Sequence, residues 1–165
     1  MIYVLYGQPG SGKTTLSKRL AEYIDTPHLI DGDVFRTMFH NRGGIVYRDR
    51  KVFDYRDKIA GYSEEGRKLN ITRVNAVATY VHKTQDKPVI VAFVNPYDVA
   101  RCNLLAHNPH EVQMIFLSSS RLIRKGFHVK DFEPGHPDLH IETDRPQRWV
   151  WKQLRSYVDK INNRT

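Results

Sequence analysis

Cysteine is almost absent from this sequence: Cys102 is the only one in 165 residues. A single thiol forms no disulfide framework and no multi-cysteine metal site. No apolar run approaches the ~20 residues that a membrane-spanning helix requires. The chain has no low-complexity tract and no internal repeat. His128, His136 and His140 share one segment but lack a helical or H-x-x-x-H arrangement, so they do not make a zinc site. Acidic residues are in deficit, 18 against 26 Lys and Arg, for a formal charge of +8. That excess favours polyanionic ligands, whether nucleotides, sulfated or phosphorylated metabolites or nucleic acid, although a basic surface also simply keeps a protein in solution. A strand opening at Ile2 leaves no room for a signal or transit peptide. With the lone cysteine, this makes the expected location cytoplasmic. The length fits a single domain, residues 1–165, with a proper core.

Against these absences stands Gly7-Gln8-Pro9-Gly10-Ser11-Gly12-Lys13-Thr14, a complete G-x-x-x-x-G-K-[ST] loop. The apolar run Ile2–Tyr6 before it reads as a buried strand, and Leu16, Leu20 and Tyr23 after it recur at helical spacing. A loop between strand and helix is the setting this phosphate-binding motif needs. Its glycines let backbone N–H groups turn inward on phosphate oxygens, and the helix start adds partial positive charge. In such a loop Lys13 reaches the β- and γ-phosphates of a bound nucleotide such as ATP, and the Thr14 hydroxyl can ligate Mg²⁺.

The remaining pattern alternates strand and helix. A second strand, His28–Ile30, ends at Asp31-Gly32-Asp33, and a helix is expected from about Val34. Ser63 caps a long helix that runs through Val81. Val89–Val94 is apolar on both faces, as at the centre of a parallel sheet, and Asn95-Pro96-Tyr97 ends it. A helix over Asp98–Ala106, a strand over Val112–Leu117, a short strand at His140–Thr143 and a helix opening at Pro146 complete the chain. The expected fold is therefore α/β, a three-layer arrangement around a central parallel sheet with right-handed crossovers. Ligands of such folds sit at the carboxyl ends of the strands.

Those ends carry the polar residues. No carboxylate closes the Val89–Val94 strand, so Asp31 or Asp33 must orient magnesium there, and a carboxylate so placed can also accept a hydroxyl proton. Asp33 alone also reads as a helix cap. Arg67, Asn70 and Arg73 share a helix face, which is either solvated or able to grip a phosphate, sulfate or carboxylate.

Taken in order, several stretches resemble the adenylylsulfate kinase family of P-loop kinases. They are Gly7–Thr15, Asp31–Arg36, Arg67–Val74, Ala92–Tyr97 with Arg101, Lys125-Gly126-Phe127, and Phe132-Glu133-Pro134 with Pro137. The resemblance implies transfer of the γ-phosphate of ATP, with Mg²⁺, to the 3′-hydroxyl of adenylylsulfate or a related nucleotide. It implies ATP binding by Gly7, Gln8, Pro9, Gly10, Ser11, Gly12, Lys13, Thr14 and Thr15. Lys13 and Asp31 would be catalytic, and Thr14 and Asp31 would hold the metal. Asp33, Arg36, Arg67, Asn70, Pro96 and Tyr97 would bind the acceptor. Lys125, Phe127 and Phe132 would do so from a lid over about 121–139. Two departures stand out. Asn95 replaces the family's usual serine and cannot carry a phosphate, and the lid is short.

An insertion over about 41–58 interleaves Tyr47, Phe53 and Tyr55 with Arg and Lys. Such a stretch either stacks bases along a nucleic-acid backbone or packs its aromatics inward. Three readings stay open: a small-molecule kinase, a kinase acting on a hydroxyl of DNA or RNA, and a nucleotide-binding regulatory protein.

Overall fold

The structure, a computed structural model, describes residues 1–40, 45–47, 50–53, 63–121 and 125–163. Five parallel strands form the main sheet: β1 (Ile2–Tyr6), β2 (Leu29–Asp31), β5 (Val89–Phe93), β6 (Val112–Ser118) and β7 (Leu139–Glu142). Their spatial order is β2-β5-β1-β6-β7. Among the described residues five α-helices accompany them: α1 (Lys13–Tyr23), α2 (Gly32–His40), α3 (Glu64–Thr84), α4 (Asp98–His107) and α5 (Gln147–Asn162).

Strand alternation divides the core into two halves. Ile2, Val4 and Tyr6 of β1, with Val89, Val91 and Phe93 of β5, meet Ile71, Val74 and Ala78 of α3 and Leu104 of α4. Tyr3, Leu5 and Ile90 point the other way, onto Leu16 and Leu20 of α1 and Val150, Leu154 and Val158 of α5. Because both faces of the central strands are buried, those strands are apolar throughout. The result is the three-layer α/β fold that the alternating pattern predicts. Among the described residues no helix is long and apolar enough to cross a membrane.

Within the insertion, β3 (Ile45–Tyr47) and β4 (Arg50–Phe53) pair antiparallel as a separate two-stranded sheet. Tyr55 lies outside the described residues, as do the side chains of Tyr47 and Phe53, so the reading of the insertion's aromatics falls outside them.

The sequence-predicted boundaries shift where polar side chains take over backbone groups. Helix α2 begins at Gly32 rather than Val34 because Asp31 Oδ1 accepts the N–H groups of Asp33 (3.0 Å) and Val34 (3.2 Å). Asp31, not Asp33, is therefore the cap. Strand β7 begins one residue early, where the Asp138 N–H donates to the Met114 carbonyl and the Asp138 carboxylate accepts the Met114 N–H. Helix α3 has the expected cap, the Ser63 hydroxyl oxygen accepting the Gly66 N–H at 3.1 Å.

Gly32 sets how closely α2 approaches β5, since a Cβ there would lie 2.3 Å from the Cβ of buried Phe93. Gly32→Ala is expected to cost about 1–3 kcal/mol through forced repacking. Urea unfolding should show a lower midpoint with an unchanged slope.

Candidate active site

The phosphate loop is built by left-handed glycines and by a tight fit against β6. Gly7, Gly10 and Gly12 have φ of 151°, 85° and 87°. A Cβ on Gly7 would lie 2.1 Å from the Leu117 carbonyl oxygen, so only glycine lets the loop leave β1 here. Lys13 Nζ donates to the carbonyls of Gly7 (2.9 Å) and Gln8 (2.8 Å) and to Ser11 Oγ (3.3 Å), which folds the ammonium back across the loop. Gln8 uses its side chain differently from its neighbours. Its Nε2 donates to the Val129 carbonyl at 2.8 Å, and its Oε1 accepts the Val129 N–H at 3.0 Å. His128 Nε2 lies 3.1 Å from the Pro9 carbonyl oxygen. Residues 128–129, within the segment expected to form the lid, are thus tied to the first half of the loop.

Beside the loop, the Thr14 hydroxyl donates to Asp31 Oδ2 at 2.8 Å. The caps hold Asp31 Oδ1, which leaves Oδ2 to face Thr14. Two adjacent oxygen donors suit a hard cation such as Mg²⁺, which takes few protein ligands and completes its shell with phosphate and water. Among the described residues no cluster of three or more His, Cys, Asp and Glu could hold a metal by itself.

A cavity of about 580 Å³ opens at these strand ends. It is lined by Pro9, Gly10 and Gly12–Thr15 of the loop, by Asp33 and Arg36 of α2, by Arg67 and Asn70 of α3, and by Asn95, Pro96 and Phe127. Arg73, on the same helix, does not line it. Asn70 is buried and its Nδ2 donates to the Gly32 carbonyl at 3.4 Å, so it also steadies the start of α2. Arg67 borders a second, more open groove of about 1190 Å³, which contains Lys68, Tyr97, Lys130 and Phe132. The Lys68 ammonium sits 5.5 Å above the Tyr97 ring. Of the expected acceptor residues, Asp33, Arg36, Arg67, Asn70 and Pro96 therefore meet in the cavity, whereas Tyr97 and Phe132 lie in the groove.

The segment expected to form a lid is held at its start and again at Phe132. At its start Asp144 accepts from the Ser119 hydroxyl (2.6 Å), the Ser120 N–H (2.6 Å) and Arg121 Nε (3.1 Å). The Ser119 and Ser120 hydrogen bonds, helped by the Arg121 charge, hold the Asp144 carboxyl down at about 2. Phe132 packs against Tyr6 and Phe116 at the core's edge and forms a wall of the groove rather than a free clamp. Phe127 is 56% exposed at the cavity mouth. The side chain of Lys125 lies outside the described residues.

Two residues carry more than the sequence reading gave them. Arg101 is 2% exposed. Its Nη1 donates to the Asn95 carbonyl (2.5 Å), and its Nη2 donates to Asp98 Oδ1 (2.9 Å) and the Glu133 carbonyl (2.5 Å). Its guanidinium also lies 4.6 Å over the Tyr6 ring. Tyr6 donates its hydroxyl to the Pro134 carbonyl at 2.6 Å, and burial pushes its phenol up to about 12 despite the nearby Arg101 charge. The second residue is Asn95, 1% exposed with φ of 42°, at the floor of the cavity.

A family model described as an AAA domain matches residues 6–91, more than half of the chain. An adenylate kinase of Rickettsia prowazekii (strain Madrid E) is 50% identical over 106 residues, covering 53% of this chain and 50% of that protein. An adenylate kinase of Chlamydia caviae is 49% identical over 37 residues, covering 22% of this chain and 17% of that one. The chain thus spans half of the first relative's length and less than a fifth of the second's. Among solved structures, the Mycobacterium tuberculosis APS kinase in complex with AMPPNP and APS superposes with a TM-score of 0.68. It is 18% identical, with 98% of this chain and 96% of that one covered. A shikimate kinase of Aquifex aeolicus gives 0.63 at 15% identity, with 98% of each chain covered. At such identities the likeness is one of fold.

Arg101→Met would keep the buried volume but leave the carbonyls of Asn95 and Glu133 without their donor. The expected loss is about 2–4 kcal/mol. Amide exchange should accelerate first at Glu133, whose N–H donates to the Pro96 carbonyl.

Proposed function

The chain belongs to the AAA-domain family of P-loop proteins, and on that premise we propose that it is an ATP-dependent phosphotransferase with a hydroxyl as acceptor. The acceptor that the sequence motifs favour is the 3′-hydroxyl of adenylylsulfate or a related nucleotide. One observation carries this reading: a single cavity joins the phosphate loop and Thr14, whose hydroxyl bonds Asp31, to Arg67 and Asn70 on α3. A protein that only senses nucleotide needs the loop but not the second group.

In the reaction the acceptor oxygen bonds the γ-phosphorus as the bond from that phosphorus to the β–γ bridging oxygen breaks. ADP leaves with the electron pair, and the Asp31 carboxylate takes the hydroxyl proton. Lys13 turns from the loop carbonyls to the transferring phosphate, where it balances charge that develops in the transition state. Thr14 and Asp31 would hold Mg²⁺, which would supply positive charge against the phosphate oxygens. Arg67 and Arg36 hold the anionic end of the acceptor, so that its hydroxyl meets the phosphate in line.

Charge favours a small acceptor over a nucleic-acid strand. Among the described residues the cavity carries Lys13, Arg36 and Arg67 against Asp33. The groove, again among the described residues, brings Arg67, Lys68 and Lys130 together with Glu64, Asp98, Asp131 and Glu133, a mixed lining that offers a phosphate backbone no continuous basic track. The decisive experiment incubates the protein with γ-labelled ATP and Mg²⁺, together with adenylylsulfate, hydroxyl-bearing oligonucleotides or no acceptor. Label on adenylylsulfate supports the reading, and label on oligonucleotide moves the acceptor to nucleic acid. Label on neither leaves a regulatory nucleotide binder.

Two substitutions refine the roles. Asn caps a helix about as well as Asp. Asp31→Asn should therefore leave the melting temperature nearly unchanged while lowering kcat about 100-fold or more, with little change in KM for ATP. A larger kcat loss in Asp33→Asn would exchange the two carboxylates. Arg67→Ala should raise KM for the acceptor about 10-fold or more, the scale of a lost charge-assisted hydrogen bond, and leave KM for ATP alone. A defect confined to ATP would remove α3 from the acceptor site.

A further inference from the structure

The floor of the cavity holds an unsatisfied polar side chain. Asn95 is 1% exposed, and neither its Oδ1 nor its Nδ2 has a hydrogen-bond partner. Its backbone is accounted for: φ is 42°, in the left-handed region that Asn tolerates, and its carbonyl accepts from Arg101. Glycine would meet that backbone requirement at less cost, so the turn does not explain the carboxamide. A buried amide with no partner is destabilising unless something else satisfies it.

The position and the chemistry of a carboxamide together narrow the partner. Asn95 follows β5, which lies between β2, the strand that delivers Asp31, and β1, the strand that delivers the phosphate loop. It therefore sits where a phosphate on the loop and an acceptor held by Arg67 would meet. A carboxamide offers an acceptor and a donor side by side. A phosphate or sulfate oxygen only accepts, and would leave Oδ1 unmet. A lone ammonium only donates, and would leave Nδ2 unmet. Two neighbouring hydroxyls satisfy both atoms, one donating to Oδ1 and the other accepting from Nδ2. We propose that Asn95 is a specificity-determining residue that reads a vicinal diol on an anionic acceptor, whose charged end lies at Arg67. This rests on the phosphotransferase reading for the presence of an acceptor, but not on that acceptor being adenylylsulfate.

The test is binding, with the phosphate loop first filled by MgADP. Calorimetry would compare adenylylsulfate with its 2′-deoxy counterpart, and ribose 5-phosphate with 2-deoxyribose 5-phosphate, on wild type and on Asn95→Gly. The glycine variant suits φ of 42° and removes the carboxamide with its single methylene. Its thermal midpoint without ligand should equal or exceed that of wild type. In wild type, loss of one hydroxyl should weaken binding about 10-fold or more, because a buried polar atom is left unpaired. In Asn95→Gly the same change should cost less than about twofold, once that penalty is gone. Asn95→Asp keeps an acceptor oxygen but loses the donor, and should bind every one of these anions more weakly than wild type. Discrimination within the ribose pair without adenylylsulfate binding would overturn adenylylsulfate as acceptor and leave the role of Asn95 standing. A hydroxyl penalty that persists in Asn95→Gly, or binding of neither pair by wild type, would overturn the role of Asn95.

Discussion

A guanidinium buried at the strand ends is the constraint on which the site's architecture depends. Arg101 is 2% exposed and always charged, and a buried charge is tolerated only where its donors are met. Meeting them requires three things of the surrounding chain. The Asn95 carbonyl must turn toward α4, Asp98 must open that helix, and the Glu133 carbonyl must come in from the far side of the lid. Gly135 records how tight the arrangement is, since a Cβ there would lie 2.2 Å from Asp98 Oδ1 and 2.9 Å from Arg101 Nη2. One buried cation therefore fixes the floor of the cavity and one wall of the groove together.

The sheet supplies the rest. With β5 between β2 and β1, the acidic strand end, Asn95 and the phosphate loop fall side by side. Glycines at both flanking positions let the backbones close in, Gly32 against Phe93 and Gly7 against the Leu117 carbonyl. Lys13, meanwhile, bonds to carbonyls of its own loop. Those contacts are weak substitutes for phosphate oxygens, because a carbonyl carries partial charge and a phosphate carries full charge. Exchange of the one for the other is thus downhill when nucleotide enters.

Legibility followed locality. The phosphate loop was readable because its glycines, its lysine and both flanking elements lie within a few turns of chain. The buried alternation of β1 and β5 was readable for the same reason. Asp31 and Asp33 were readable as a pair, but their division of labour was not. Which one caps α2 depends on where the helix starts, and a one- or two-residue shift exchanges them. Arg73 shares the helical spacing of Arg67 and Asn70 yet lines neither the cavity nor the groove, because spacing defines a face and not the depth at which each side chain ends. Arg101 could be matched to a motif but not given its role, since its partner Glu133 is 32 residues away in sequence. Asn95 could be seen only as a serine that was missing. Its significance is a burial with no partner, and no pattern of residues reports that.

The formal charge of +8 gains its meaning from placement. A basic chain could spread its cations along a surface to hold a polyanion, or concentrate them where a compact anion is worked on. Among the described residues three cations face one carboxylate in the cavity, whereas cations and carboxylates alternate in the groove. Counterion release scales with the number of phosphates neutralised, so a groove of mixed sign gains little from a strand laid along it. A compact ligand with two anionic centres gains much more from the cavity. On the proposed reading its phosphates would meet the loop, the helix start and Lys13, its other anion would meet Arg67, and its neutral hydroxyls would fall to the Asn95 carboxamide between them. The arrangement also separates affinity from selection. Charge draws any small anion to the site with little regard for shape, and discrimination would then rest with Asn95, whose amide is fully satisfied only by a ligand able both to donate and to accept.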